Sequence, residues 1–181
     1  MDLSDSFVAM LRRIMKQKID FEIRDAIEAD IPIIMDLAQR LAVYERAPDS
    51  FVATPKDYQK WGWGKDSIFR VILAENKGKE GPIYVGFALY YFTFSTWTGK
   101  PTLWLEDLFV PEELRGKGIG SALLRRLAKI ALDKGCGRME WTVLDWNEPS
   151  RKFYYSLGAK SMDGWTTFRL TPKELKELVK G

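Results

Sequence analysis

The chain has 181 residues, 46% hydrophobic and 13% aromatic, with a formal net charge of +3 and no histidine. That length and apolar content suit one domain able to bury roughly 70% of its unfolded surface, and exclude a disordered chain. The charge is small and mixed, so the concentrated basic stripe of a nucleic-acid binder is missing. Only Leu11 to Lys18 comes near it, and no run approaches the ~18 apolar residues of a membrane span.

Without histidine the commonest general base and most transition-metal sites are lost, and no metal is expected. Acid–base chemistry must fall to Glu, Asp, Tyr, Lys or the one cysteine. Cys136 cannot form an internal disulfide, and Asp2 and Asp5 stand where a signal peptide carries positive charge, so a cytosolic location is expected.

Residues 1–20 place Leu3, Phe7, Val8, Leu11, Ile14 and Met15 at helical spacing, an N-terminal helical extension ahead of a single domain over 21–181. Phe21 to Asp25 alternates like a first strand. Asp30 and Pro32 mark a helix start, and Ile31, Ile34, Met35, Ala38 and Leu41 continue one face towards Glu45. Thr54-Pro-Lys-Asp57 predicts the cap of a short helix. Ile68 to Glu75 and Ile83 to Phe94 read as strands joined by an Asn76–Gly81 turn, and Leu103 to Val110 as a third.

Next comes Arg115-Gly-Lys-Gly-Ile-Gly120, followed by Ser121 to Leu132 with helical apolar spacing. Alternate glycines at a strand-to-helix turn let backbone N–H groups reach an anion, which the helix dipole favours. The P-loop string is absent, and Ser121 stands where a dinucleotide fingerprint needs glycine or alanine. The spacing fits an anion cradle, or a turn that only closes a strand–helix corner.

Arg138 to Leu144 predicts another strand, and Pro149 to Leu157 a short helix closed by Gly158, with Phe153 and Leu157 as core residues. Trp165 to Leu170 reads as a last strand, and Thr171-Pro-Lys-Glu174 caps a terminal helix. This order implies an α/β (mixed α+β) domain with a central mixed sheet and helices on both faces.

Glu106 and Asp107 interrupt an apolar strand, where charge is costly unless paired or functional. Strand alternation sends neighbours to opposite sides, so one would face a cleft and the other serve elsewhere; an edge ion pair fits equally well. Asn147 suits either a helix cap or a ligand contact at the sheet edge, and Tyr154 fits a half-buried packing tyrosine or a functional one. Cys136, between two glycines with no histidine partner, reads as a bystander rather than a nucleophile.

The strand, the Arg-Gly-x-Gly-Ile-Gly loop and the Trp146-Asn-Glu-Pro-Ser…Phe153-Tyr154 helix resemble the GNAT superfamily of acetyl-CoA-dependent N-acetyltransferases. Val85 to Phe94, Leu105-Glu-Asp107 and Trp146 to Pro149 resemble the spermidine/spermine N-acetyltransferases. Ser95-Thr-Trp97, Ala131 to Cys136 and Val143 to Trp146 resemble their thialysine Nε-acetyltransferase branch. The likeness covers Phe21 to Leu170.

That resemblance implies a twisted, mostly antiparallel sheet of six to seven strands and a homodimer. It implies acetyl-CoA as cosubstrate, with Arg115, Gly116, Lys117, Gly118, Ile119, Gly120 and Ser121 on the pyrophosphate. Leu108, Phe109 and Val110 would run along the pantetheine arm, where a strand N–H could hold the oxyanion. Asn147, Glu148, Pro149 and Ser150 would complete the cofactor site. Tyr154 falls where the family keeps its general acid and Glu106 where it keeps the carboxylate that deprotonates the amine. Tyr44, Glu45, Trp97, Glu106, Glu140, Trp141 and Thr142 align with the amine pocket.

One departure matters: many polyamine enzymes of the family carry an acid where Ser95 stands, which favours a shorter amine. The implied activity is acetyl transfer to a primary amine of a small cation such as thialysine, by direct attack. Spermidine, spermine or a diamine is the alternative acceptor. Protein N-acetylation and a non-catalytic acetyl-CoA-binding module are weaker ones, and no nucleic-acid or membrane partner is expected.

Overall fold

A computed structural model describes residues 20–78 and 81–181, with side chains described outside 77–82. The expected N-terminal helix lies outside the described residues. The chain forms two compact units that meet in sequence between Thr142 and Val143.

The first unit is built on a five-stranded sheet in sequential order: β1 (Glu22–Asp25), β2 (Arg70–Gly78), β3 (Gly81–Ser95), β4 (Lys100–Phe109) and β5 (Arg138–Trp141). The first four pair antiparallel, and β4 and β5 pair parallel. Strands β2 and β3 run further into their connection than the expected Asn76–Gly81 turn, reaching Gly78 and Gly81.

Helix α1 (Ile31–Tyr44) starts as expected beside Asp30, with Pro32 in its first turn. It lays Ile31, Ile34, Leu37, Ala38 and Leu41 against Val71, Leu73, Phe87, Leu89 and Phe109. These strand residues alternate along β2 and β3 and so share one face. The intervening Ile72 and Ala88 are fully buried and lie outside that cluster. Helix α3 (Ile119–Asp133) packs across all five strands and buries Ile119, Leu123, Leu124, Leu127 and Ala131. Each fully buried Leu or Ile of these layers contributes roughly 1.5–3 kcal/mol.

Short helix α2 (Pro55–Tyr58) has the predicted cap: Asp57 N–H donates to Thr54 Oγ1 at 3.3 Å, and Thr54 N–H to Asp57 Oδ2 at 2.8 Å. A wider π-type turn, Gln59–Trp63, prolongs it.

Arg24 ties β1 to its neighbours. It donates to Asp30 Oδ2 at 2.6 Å and to Glu75 Oε2 at 2.7 Å, while Asp30 also accepts from Ile27 N–H. Hydrogen bonding to Arg24 holds the buried Asp30 carboxyl below the usual carboxylate range. The pairing compensates two acids that the interior would otherwise penalise.

The second unit carries α4 (Glu148–Ser156) and α5 (Pro172–Lys180), the latter capped through Thr171 and Glu174 as expected. The predicted strand over Trp165 to Leu170 is irregular, so the described sheet has five strands rather than six to seven. Its β-rich composition has no ladder partner within this unit, and an extended run without one does not become a strand. Phe153 is half-buried and Leu157 half-exposed, so neither is the core residue that periodicity suggested.

Candidate active site

Strand β4 outruns β5. Their pairing spans Thr102↔Arg138 to Leu105↔Trp141, whereas β4 continues to Phe109. Backbone groups of residues 106–109 on that edge have no strand partner among the described residues. The chain then passes Pro111 and a tight turn, Glu112–Leu114, into the glycine loop.

Gly118 caps α3 in the left-handed conformation at φ 85°, and Gly116 also has positive φ, at 74°. Its N-cap residue is a glycine and offers no side-chain cap, so a helix N-terminus that a serine or aspartate would close is left to backbone and external acceptors. Gly86 of β3 has another role. A Cβ there would lie 2.9 Å from the Phe109 carbonyl oxygen and 3.3 Å from Ile119 Cγ2, so the strand passes close beneath the loop. The loop is therefore held by backbone geometry and close packing, which the sequence signalled only as alternate glycines.

The register of β3 and β4 contains a bulge. Leu89 pairs with Asp107 and Tyr90 with Leu105, which leaves Glu106 as the extra residue. A bulge breaks strict alternation, and here it overturns the expectation that the two acids part company. Asp107 stands opposite Leu89, on the α1 face. Glu106 Oε2 accepts from Tyr91 Oη at 3.2 Å and from Trp104 Nε1 at 3.0 Å, and Tyr91 and Trp104 belong to that same face.

Burial pushes the half-buried Asp107 carboxyl up to about 7, with further upward push from the charges of Glu106 and Glu45. Partial burial also raises Glu45, and burial together with Asp107 lifts the Tyr58 phenol to about 12. Tyr91, beside Glu106, is likewise raised to about 12, chiefly by burial. Glu140 sits in register with Trp104 and pairs with Arg138 at 3.1 Å. The resemblance assigned Glu45, Glu106 and Glu140 to the amine pocket; Asp107 was singled out only as one of two acids in the strand, and Tyr58, Tyr91 and Trp104 were not singled out as site residues. The Glu-Asp dipeptide was visible; the bulge that unites its carboxylates was not.

Other anticipated residues lie on several elements of the first unit. Tyr44 ends α1, with the Arg115 guanidinium 4.2 Å from its ring centre, and Arg115 Nε donates to the Val110 carbonyl at 3.1 Å. Trp97 is largely exposed in the β3–β4 turn, Trp141 ends β5 and Thr142 follows it, exposed. Ser95 is buried, and its hydroxyl accepts from Thr98 N–H at 3.3 Å, so it serves the turn.

In the second unit, Asn147 is buried and caps α4 by accepting from Ser150 N–H at 3.3 Å, with Pro149 in the first turn. Glu148 pairs with Arg151 at 3.4 Å. Tyr154 is half-buried, its ring 5.5 Å from that of Phe153. Among the described residues no cluster of acids and cysteine could hold a metal ion.

The sequence pattern of the acetyltransferase (GNAT) family matches residues 34–159. A thialysine N-epsilon-acetyltransferase of Sus scrofa is 38% identical over 87% of this chain and 96% of its own. A spermidine/spermine N(1)-acetyltransferase-like protein 1 of Homo sapiens is also 38% identical, over 88% of this chain and 24% of its own. An integron cassette protein from the mobile metagenome of V. cholerae superposes with a TM-score of 0.73 at 28% identity, covering 89% of this chain and 98% of that one.

Proposed function

Because the chain belongs to the GNAT acetyltransferase family, we propose that it moves acetyl from acetyl-CoA to the primary amine of a small cation, with thialysine or a related lysine analogue as acceptor. The observation that carries this reading is the layout of one strand. Residues 106–109 combine an unpaired backbone edge with the side chains of Glu106 and Asp107, and the chain leads from there into a helix N-terminus whose N-cap is a glycine.

In this reading the loop Arg115–Ser121 takes the pyrophosphate on backbone N–H groups and Arg115, at the positive end of α3. The edge of Leu108–Val110 takes the pantetheine arm. The acceptor's ammonium meets Glu45, Glu106, Asp107 and Glu140, whose collective charge favours a cation. An amine of pKa near 10.4 is mostly protonated at neutral pH and must lose a proton before it can attack.

Glu106 takes that proton through water. The freed nitrogen attacks the thioester carbonyl, a strand N–H near Leu108–Phe109 holds the oxyanion, the C–N bond forms and the C–S bond breaks. Tyr154 gives its proton to the departing thiolate, and the second proton, shed by the new amide nitrogen, passes through solvent to restore the phenol. Asn147 to Ser150 complete the cofactor site. No protein nucleophile is required.

Ser95 supports a short acceptor over a long polycation. Spent on the turn, it adds no charge where polyamine enzymes of the family keep an acid. The test is kcat/KM for thialysine, lysine, putrescine, spermidine, spermine and a peptide panel under one set of conditions. Thialysine should lead. A lead for spermidine or spermine would move the acceptor to the polyamines, and a lead for peptides would overturn the small-amine reading. The homodimer implied by resemblance belongs to the same proposal and is checked by light scattering.

A further inference from the structure

Arg40 and Tyr44 lie one turn apart on α1 and so share a face. Arg40 donates to Glu113 at 3.0 Å and lies 5.9 Å from the Phe109 ring centre. Tyr44 carries the Arg115 guanidinium at 4.2 Å, and Arg115 is fixed a second time through Nε on the Val110 carbonyl. One helix face thus grips the β4–α3 connection twice: at the strand exit, and at the residue that leads the glycines.

Arg115 is itself exposed, and its terminal amino groups donate to no acceptor among the described residues. A long exposed arginine normally keeps its rotamer freedom until a ligand arrives. Stacking on a ring that is itself packed on the core removes that freedom beforehand. The planar fork also presents two donors side by side, a geometry suited to phosphate oxygens.

We propose that Tyr44 is a positioning residue for the acyl donor: its ring presets Arg115 at the mouth of the glycine loop, so that α1 serves the donor side and not only the amine pocket. This rests on the reading of residues 115–121 as the acetyl-CoA pyrophosphate site. It departs from the role in the acceptor pocket that resemblance gives Tyr44. The phenol oxygen has no part in it; the aromatic face does.

The test is the Kd of CoA alone, with no amine present, measured by calorimetry on the full chain. Tyr44→Phe should bind within about twofold of the parent, and Tyr44→Leu about three- to tenfold more weakly. Arg115→Ala should bind more weakly, and adding Tyr44→Leu to it should cost nothing further, because the two residues act as one unit. Unchanged CoA affinity in Tyr44→Leu, with only the amine KM raised, overturns the proposal. Should Tyr44→Leu fail to fold, Arg115→Lys decides: it keeps the charge and loses the flat stack, so parental affinity there also overturns it. A parent chain that binds no CoA would instead overturn the acetyl-CoA reading.

Discussion

Glu106 and Asp107 are adjacent in β4 yet present their carboxylates to the same face of the sheet, because the register steps from Leu89↔Asp107 to Tyr90↔Leu105. Two acids that strand geometry would separate are thereby made to feel each other's charge, and burial does the rest.

A carboxyl raised in the folded state binds its proton more tightly there than in the unfolded chain. Its stabilising contribution is therefore present at low pH and lost as pH rises. For Asp107 the window runs from the ordinary carboxyl value of 3.8 to about 7. Asp107→Asn should gain stability over the parent, and the gap should be wider at pH 8 than at pH 5. Urea midpoints at the two pH values, without amine, check this; a gap that does not widen would remove Asp107 as a strained acid.

Glu106→Gln removes one of the charges that raise Asp107. Besides lowering kcat, it should move the acidic limb of the kcat/KM profile to lower pH. An acidic limb left in place would count against both the proton-accepting role of Glu106 and its coupling to Asp107.

Tyr154→Phe deletes the proposed donor to the thiolate and keeps the ring beside Phe153. General acid catalysis is worth roughly 10²–10⁴-fold, so kcat should fall by about a hundredfold or more while the Kd of CoA holds. Steady-state turnover paired with calorimetry separates the two, and parental kcat would take Tyr154 out of the reaction.

Two glycine substitutions should fail for different reasons. Gly118→Ala puts a Cβ into open space at φ 85°, so it should cost roughly 1 kcal/mol in strain and raise the acetyl-CoA KM by distorting the helix entry. Gly86→Ala drives a Cβ to 2.9 Å from the Phe109 carbonyl, and overpacking there should cost about 1–3 kcal/mol. Its KM effect should be smaller than its loss of thermal stability. Equal profiles for the two variants would refute this division.

Much of the first unit was legible because local rules and tertiary packing agree. The Asp30-x-Pro32 start of α1, the Thr54/Asp57 box and the apolar face of α3 carry their own signals in short spacings. The Glu106 bulge is decided by the register between β3 and β4, two strands of one hairpin, which spacing along a single strand cannot report. Trp165 to Leu170 failed for a related reason. Composition marks a segment as willing to extend, but only a neighbouring edge makes it a strand. The raised Asp107 likewise depends on tertiary structure: first on its burial, then on the charges of neighbouring Glu106 and of Glu45 beyond the end of α1.

The stretch of β4 that outlasts β5 has a consequence for how such an enzyme could change its diet. In the proposed reaction its main chain answers to the donor and its side chains answer to the acceptor. Main-chain hydrogen bonding is indifferent to residue identity, so a substitution at 107 can retune which amine is taken without disturbing how the acyl group is delivered, whereas 106 also carries the proton acceptor. Selectivity on one side can drift while chemistry on the other stays fixed, because the two are written in different atoms of the same four residues.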